Sequence, residues 1–135
     1  MVERDGEAYR DRLTASVDRL GISAMVEFDG RYLDVPSLQR IVRSADIVLL
    51  PYDSPDQVTS GVLTEAVVAG RPVISTPFPH AVELLSSGAG VLVPRRDPTA
   101  IATALRCVLT TPGLAASMRA TARSLAPALL WSAVA

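Results

Sequence analysis

Apolar residues recur along this chain in two distinct rhythms, and the alternation between them predicts its elements. From Glu7 to Leu20, Leu13, Val17 and Leu20 fall at helical spacing with charged residues on the other faces, which predicts a helix stopped at Gly21. Ala24–Phe28 predicts a short strand ending at Asp29-Gly30, and Leu38–Arg43 a second helix with Pro36 near its first turn. Asp46–Leu50 is nearly all apolar and β-branched, the pattern of a strand buried on both faces of a parallel sheet. A polar loop follows, then an almost wholly apolar helix over Ser60–Ala69, stopped by Gly70.

The second half repeats the alternation. Pro72–Ser75 predicts a buried strand, Thr76–His80 a rigid connector and Ala81–Leu85 a short helix. After a turn at Ser86–Gly88, Gly90–Val93 predicts the last strand. Asp97-Pro98 combines an N-cap acid with a first-turn proline, and the helix it starts is expected to run to about Leu109 and to bury Ile101, Leu105 and Val108. Thr111-Pro112 repeats that signal for a helix from Gly113 to about Leu125, where Pro127 is expected to break it; Leu129, Leu130 and Trp131 form an apolar patch beyond. Helix and strand alternate throughout, with connections that suit parallel strands. The expected fold class is α/β, a Rossmann-like, doubly wound, mostly parallel sheet of about four strands. In such sheets ligands sit beyond the carboxyl ends of the strands. Here those ends are residues 29–31, 51–59, 76–80 and 94–97.

Composition narrows the chemistry. The chain has 135 residues, 49% hydrophobic, which fits one folded domain with a substantial core, 1–135, and argues against disorder. A net charge of −1 removes the electrostatic case for nucleic acid. No apolar run has the length of a membrane span, and the charged N-terminus lacks the apolar core of a signal peptide, so a cytoplasmic location is expected. A lone Cys107 makes neither an internal disulfide nor, by itself, a zinc site. Lysine is absent, which excludes a Walker A loop, a Schiff-base lysine and a Ser–Lys hydrolase within the chain.

Candidate chemistry concentrates in Pro51–Gly70. Thr59, Ser60 and Gly61 open a helix whose first amides and positive dipole end suit an anion, although an ordinary N-cap explains the same residues. Between Gly61 and Ala69 the only polar side chains are Thr64 and Glu65. A carboxylate on so apolar a helix needs partners, and the hydroxyls of a ribose are suitable ones; the alternative is one solvated edge. His80, the single histidine, could act as an acid or base, but a lone histidine in a turn more commonly packs. Asp53 and Asp56 read as turn residues before they read as a metal pair. Arg95 and Arg96 follow the last strand, where they either meet a phosphate or are solvated.

These residues resemble a known family. Ala45–Pro51, Gly61–Ala66 and Ala69–Thr76, together with Glu83, Gly90–Pro94, Asp97-Pro98, Met118 and Trp131, are similar in kind and order to the C-terminal half of retaining GT-B glycosyltransferases of the group 1 (family 4) type. The resemblance implies binding of a nucleotide-diphospho-sugar as substrate, with no cofactor and no metal, for sugar transfer to an acceptor. In the family a Glu-x7-Glu motif contacts the donor; Glu65 matches its second, ribose-contacting acid, and Gln57 stands at its first, sugar-contacting position. Val58, Thr59, Ser60 and Gly61 replace the usual Gly-Phe-Gly-Leu and are implied to lie near the sugar and diphosphate, while Phe28 and Arg31 resemble the base-binding edge. The resemblance further implies an incomplete donor domain: the acceptor domain, and the first two strands and helix with their basic diphosphate clamp, have no counterpart. The strand at 46–50 is therefore expected to have an open edge, met by the strand at 24–28, by a second copy, or by the missing N-terminal half. An alternative from another class is a non-catalytic nucleotide-binding or protein-interaction module on the same fold; a sugar epimerase is a third, resting on the fold alone.

Overall fold

A computed structural model describes residues 2–30 and 33–134, with side chains over 7–30 and 33–129. The chain divides into two compact units, Met1–Tyr32 and Leu33–Ala135.

The first unit is a helix and a turn. Helix α1 spans Val2–Arg19 and ends where Gly21, at φ +71°, donates to Asp18 O while Ile22 donates to Val17 O. That pair of bonds is a Schellman closure, and the positive φ is the reason for glycine at its centre. Ser23–Met25 then forms a 3₁₀ turn, closed by Met25 N donating to Ile22 O at 2.8 Å. This corrects the expected strand over 24–28. Val26 has extended dihedrals (φ −120°, ψ 128°), but no described residue before Leu33 takes part in a β ladder. Extended backbone becomes a strand only through a hydrogen-bonded partner, and Met25, 85% exposed, has no apolar surface to pack on.

The second unit holds the sheet. Helix α2 (Val35–Ser44) starts at Asp34, whose carboxylate accepts from Ser37 N at 2.9 Å, and carries Pro36 in its first turn. Strand β1 (Val48–Leu50) leads through a loop into α3 (Gly61–Val68); β2 (Val73–Ser75), α4 (Pro79–Leu85), β3 (Gly90–Leu92) and α5 (Pro98–Thr110) follow. The described sheet has three strands, all parallel, in the order β1-β2-β3, with Val48 opposite Val73 and Val73 opposite Gly90. Successive residues of β2 point to opposite faces. Val73 joins a core built with Leu63, Ala66 and Val67 of α3 and Ala81, Leu84 and Leu85 of α4. Ile74 joins the other, with Ala104 and Val108 of α5, Val93 and Met118. Helices thus cover both faces over β2, the expected doubly wound arrangement, and Val73 and Ile74 are completely buried. Over β1 the second face is thinner, and Leu49 remains 37% exposed.

Helix α6 spans Leu114–Val134 and runs through Pro127, where a break was expected. Leu125 and Leu129 pack against the core on either side of the proline. Tertiary packing and the strong helix formers around it hold the helix despite one lost backbone bond. Helices α5 and α6 meet at 95°, and no single helix among the described residues is long and apolar enough to cross a membrane.

Candidate functional site

The carboxyl ends of all three strands open on one side of the sheet, and their loops are fastened together. Thr76 Oγ1, after β2, donates to Tyr52 O, after β1, at 2.7 Å; His80 N donates to Val58 O at 3.1 Å. The Tyr52 and Phe78 rings meet edge to face at 5.4 Å. Arg96, after β3, reaches across to Asp53, Nε to Oδ2 at 2.7 Å. Between these ties lies a cleft of about 240 Å³ whose walls include Tyr52, Gln57, Thr76, Phe78 and Arg95. A more open recess of about 520 Å³ adjoins it, bounded by Asp53, Pro55, Arg95 and Arg96.

Gln57 therefore lines the strand-end cleft. Its side-chain amide donates to Thr59 O, which folds it against its own loop and leaves the amide carbonyl free to accept. Val58 and Thr59 are exposed, Val58 by 57%. Ser60 is buried and caps α3: its Oγ accepts from Leu63 N at 3.2 Å and lies 3.1 Å from the Tyr52 hydroxyl. The N-cap reading of this serine is thus correct, and the amides of Gly61 and Val62 are left without an acceptor within the helix. A Cβ added to Gly61 would meet nothing within 4 Å, so the space beside this first residue of α3 is open.

Glu65 lies elsewhere. It is half-buried one turn into α3, where its Oε2 accepts from Gln39 Nε2 of α2 at 3.2 Å beside Arg43. Its partner in the chain is thus a neighbouring amide, and it shares no recess with Gln57. Phe28 is half-buried within the first unit, beside Arg10, Glu27, Asp29 and Gly30; Arg31 lies outside the described residues. His80 does not line the cleft, and its half-buried ring has Nδ1 shielded from solvent without a partner. Among the described residues no three His, Cys, Asp or Glu side chains are grouped to hold a metal ion.

Sequence reasoning missed the aromatic pair Tyr52–Phe78 and the Asp53–Arg96 tie. In sequence Asp53 reads as a turn residue, and Arg96 as either a phosphate contact or a solvated charge. The available signal was topological: an acid just after β1 and a base just after β3 both lie beyond carboxyl ends, on opposite sides of β2.

Residues 4–111 match the sequence family described as glycosyl transferases group 1. The chain belongs to the group 1 glycosyl transferases. No curated protein matches it in sequence. Among solved structures it is similar to sucrose-phosphate synthase from Thermosynechococcus elongatus, at 27% identity and a TM-score of 0.78, covering 94% of this chain and 32% of that one. It is also similar in fold to Anabaena HepE, solved with UDP and with UDP-glucose, at 24% identity and a TM-score of 0.79, covering 90% of this chain and 33% of that one. The sheet with its flanking helices is a Rossmann-like half of the GT-B fold, and the chain spans about a third of the length of the solved proteins it matches.

Proposed function

We propose that the strand-end cleft is the donor site of a glycosyltransferase and takes a nucleotide-diphospho-sugar. The observation that carries this is the convergence of Gln57 and Arg95 on the carboxyl ends of three parallel strands, where the loop into α3 begins, in a chain of the group 1 family. The cleft offers a guanidinium for the anion, an amide carbonyl for sugar hydroxyls and an aromatic wall, and the Gln57 loop on its wall leads to the first amides of α3, which suit an anion. The ribose role of Glu65 follows the family pattern and requires the donor to extend beyond the cleft to α3; Oε2 already accepts from Gln39, which leaves Oε1 for a ribose hydroxyl. Fixed amides and a cation near the leaving diphosphate would stabilise the charge that develops during transfer. The reaction needs no metal and no cofactor.

The acceptor side of the reaction is assigned to the two thirds of the related proteins' length that this chain does not span. The edge of β1 that faces away from β2 is where the second copy or the N-terminal half docks. A second reading, nucleotide binding without transfer, is favoured by the neutral Gln57 at a position where the family pattern has an acid.

The test is calorimetric titration of the 135-residue chain with UDP, GDP, ADP and UDP-glucose. At least one nucleoside diphosphate should bind, and Glu65→Ala should weaken it about tenfold, the effect of one lost charge-assisted ribose contact. Absence of binding to all four, or a Glu65→Ala variant indistinguishable from the parent, overturns the donor-site reading. Turnover with an acceptor decides between the two readings.

A further inference from the structure

Of the two arginines after β3, one is engaged and one is not. Arg96 is held by Asp53 at 2.7 Å. Arg95 has neither a hydrogen bond nor a carboxylate partner among the described residues, yet it lines both the 240 Å³ cleft and the 520 Å³ recess; only Pro55 and Arg95 border both.

The backbone around Arg95 is fixed on both sides. Upstream, Val93 N donates to Ser75 O at 2.9 Å, anchoring the end of β3 to β2. Downstream, Asp97 caps α5 by accepting from Ala100 N at 2.9 Å, and Pro98 locks its first turn. In between, Arg96 has φ +57°, the one non-glycine residue with positive φ among those described. A left-handed arginine is disfavoured because its Cβ crowds the following carbonyl, and glycine would be the unstrained choice. The side chain at this position is what earns its place: it carries the bond to Asp53.

We propose that Arg95 is the cation that meets the diphosphate of the bound donor, and that the Asp53–Arg96 ion pair is its brace. The proposal rests on the donor-site reading and deepens it. Arginine suits the task because its planar fork can take two anionic oxygens at once. A phosphate-type anion at the mouth shared by the cleft and the recess would give Arg95 the partner it lacks, opposite the loop that carries Gln57 and leads into α3. Asp53 and Arg96 do not touch the ligand in this scheme; they hold the turn so that Arg95 is presented toward the cleft.

The experiment is calorimetric titration of the 135-residue chain with inorganic pyrophosphate, with UDP, GDP and ADP, and with the corresponding nucleosides. Arg95→Ala should weaken pyrophosphate and the preferred nucleoside diphosphate about tenfold or more, leaving the nucleoside unchanged, and Arg95→Lys should restore part of the loss. Arg96→Gly relieves the left-handed backbone and should keep or raise the melting temperature, yet it should weaken pyrophosphate as Arg95 loses its brace. Asp53→Ala should do the same to affinity, with Asp53→Glu recovering it. Parent-like pyrophosphate binding by Arg95→Ala overturns the proposal and leaves the donor-site reading standing. Pyrophosphate binding that depends on Arg95, with no nucleoside diphosphate bound, overturns the donor reading and supports the anion site. Failure of the parent chain to bind pyrophosphate or any nucleoside diphosphate overturns both.

Discussion

At the scale of single residues, short polar side chains at element boundaries do much of the local specification. Asp34, Ser60 and Asp97 each accept a hydrogen bond from the amide three positions on, at the starts of α2, α3 and α5. Ser60 and Asp97 were legible in sequence as a hydroxyl or acid before an apolar run, Asp97 with proline alongside, whereas only Pro36 marked the start that Asp34 caps. Asp34 carries a titration with it. Hydrogen bonds from the Ser37 side chain and amide hold its carboxyl below the usual carboxylate value. The folded form therefore favours the charged acid. The stability this adds is present above the unfolded pKa and is lost as pH falls through the folded one, below about pH 4. Thermal melts from pH 7 down to pH 2 should show the parent losing stability more steeply at the acid end than Asp34→Asn, which cannot titrate but still caps. Parallel curves for the two would refute the assignment.

At the scale of elements, periodicity and punctuation recovered every helix and the three strands of the sheet to within a few residues at most boundaries. The losses have separate physical causes. Ala24–Phe28 has strand-like residues but pairs with no strand among the described residues, and pairing is what a local pattern cannot report. Pro127 signals a break locally, but Leu125 and Leu129 are anchored on the core, and packing overrides propensity. Gly90 is a case in which sequence offered a strand and only the structure explains the glycine. It stands opposite Val73 in the ladder, and a Cβ there would fall on the Val73 carbonyl oxygen and 2.9 Å from Leu85 Cδ2. The carbonyl belongs to the backbone of a fully buried strand and cannot swing aside. Gly90→Ala should therefore cost about 1–3 kcal/mol, the range for overpacking a tight core, read as a lower denaturant midpoint with an unchanged slope. A midpoint equal to the parent's would show that β3 can move away from β2.

At the scale of the whole molecule, stability is unevenly distributed between the two units. Leu33–Ala135 contains both core clusters, and Leu63, Val67, Val73, Ile74 and Ala122 within it are fully buried. In Met1–Tyr32 no residue with a described side chain is buried. The stripe that predicted α1 is only half realised: Val17 is half-buried, while Leu13 is 38% and Leu20 65% exposed. Helical spacing identified the element correctly, but nothing in it told whether a surface existed to receive the stripe. The strand-end cleft was legible in outline from topology, and Gln57 from the family pattern, whereas the ties that shape the cleft join residues far apart in sequence. A helix of α1's length with so little apolar burial is only marginally stable on its own account. Native-state hydrogen exchange should therefore separate the two units. Amides over Thr14–Arg19 should exchange through local opening, while those of Val73, Ile74 and Ser75 should open only with the global transition, as fully buried strand amides do. Adding sub-denaturing guanidinium should accelerate the β2 amides strongly and the α1 amides hardly at all, because local opening exposes little new surface. Equal denaturant dependence in both sets would mean that α1 unfolds only with the sheet, and that its exposed stripe is no measure of its stability.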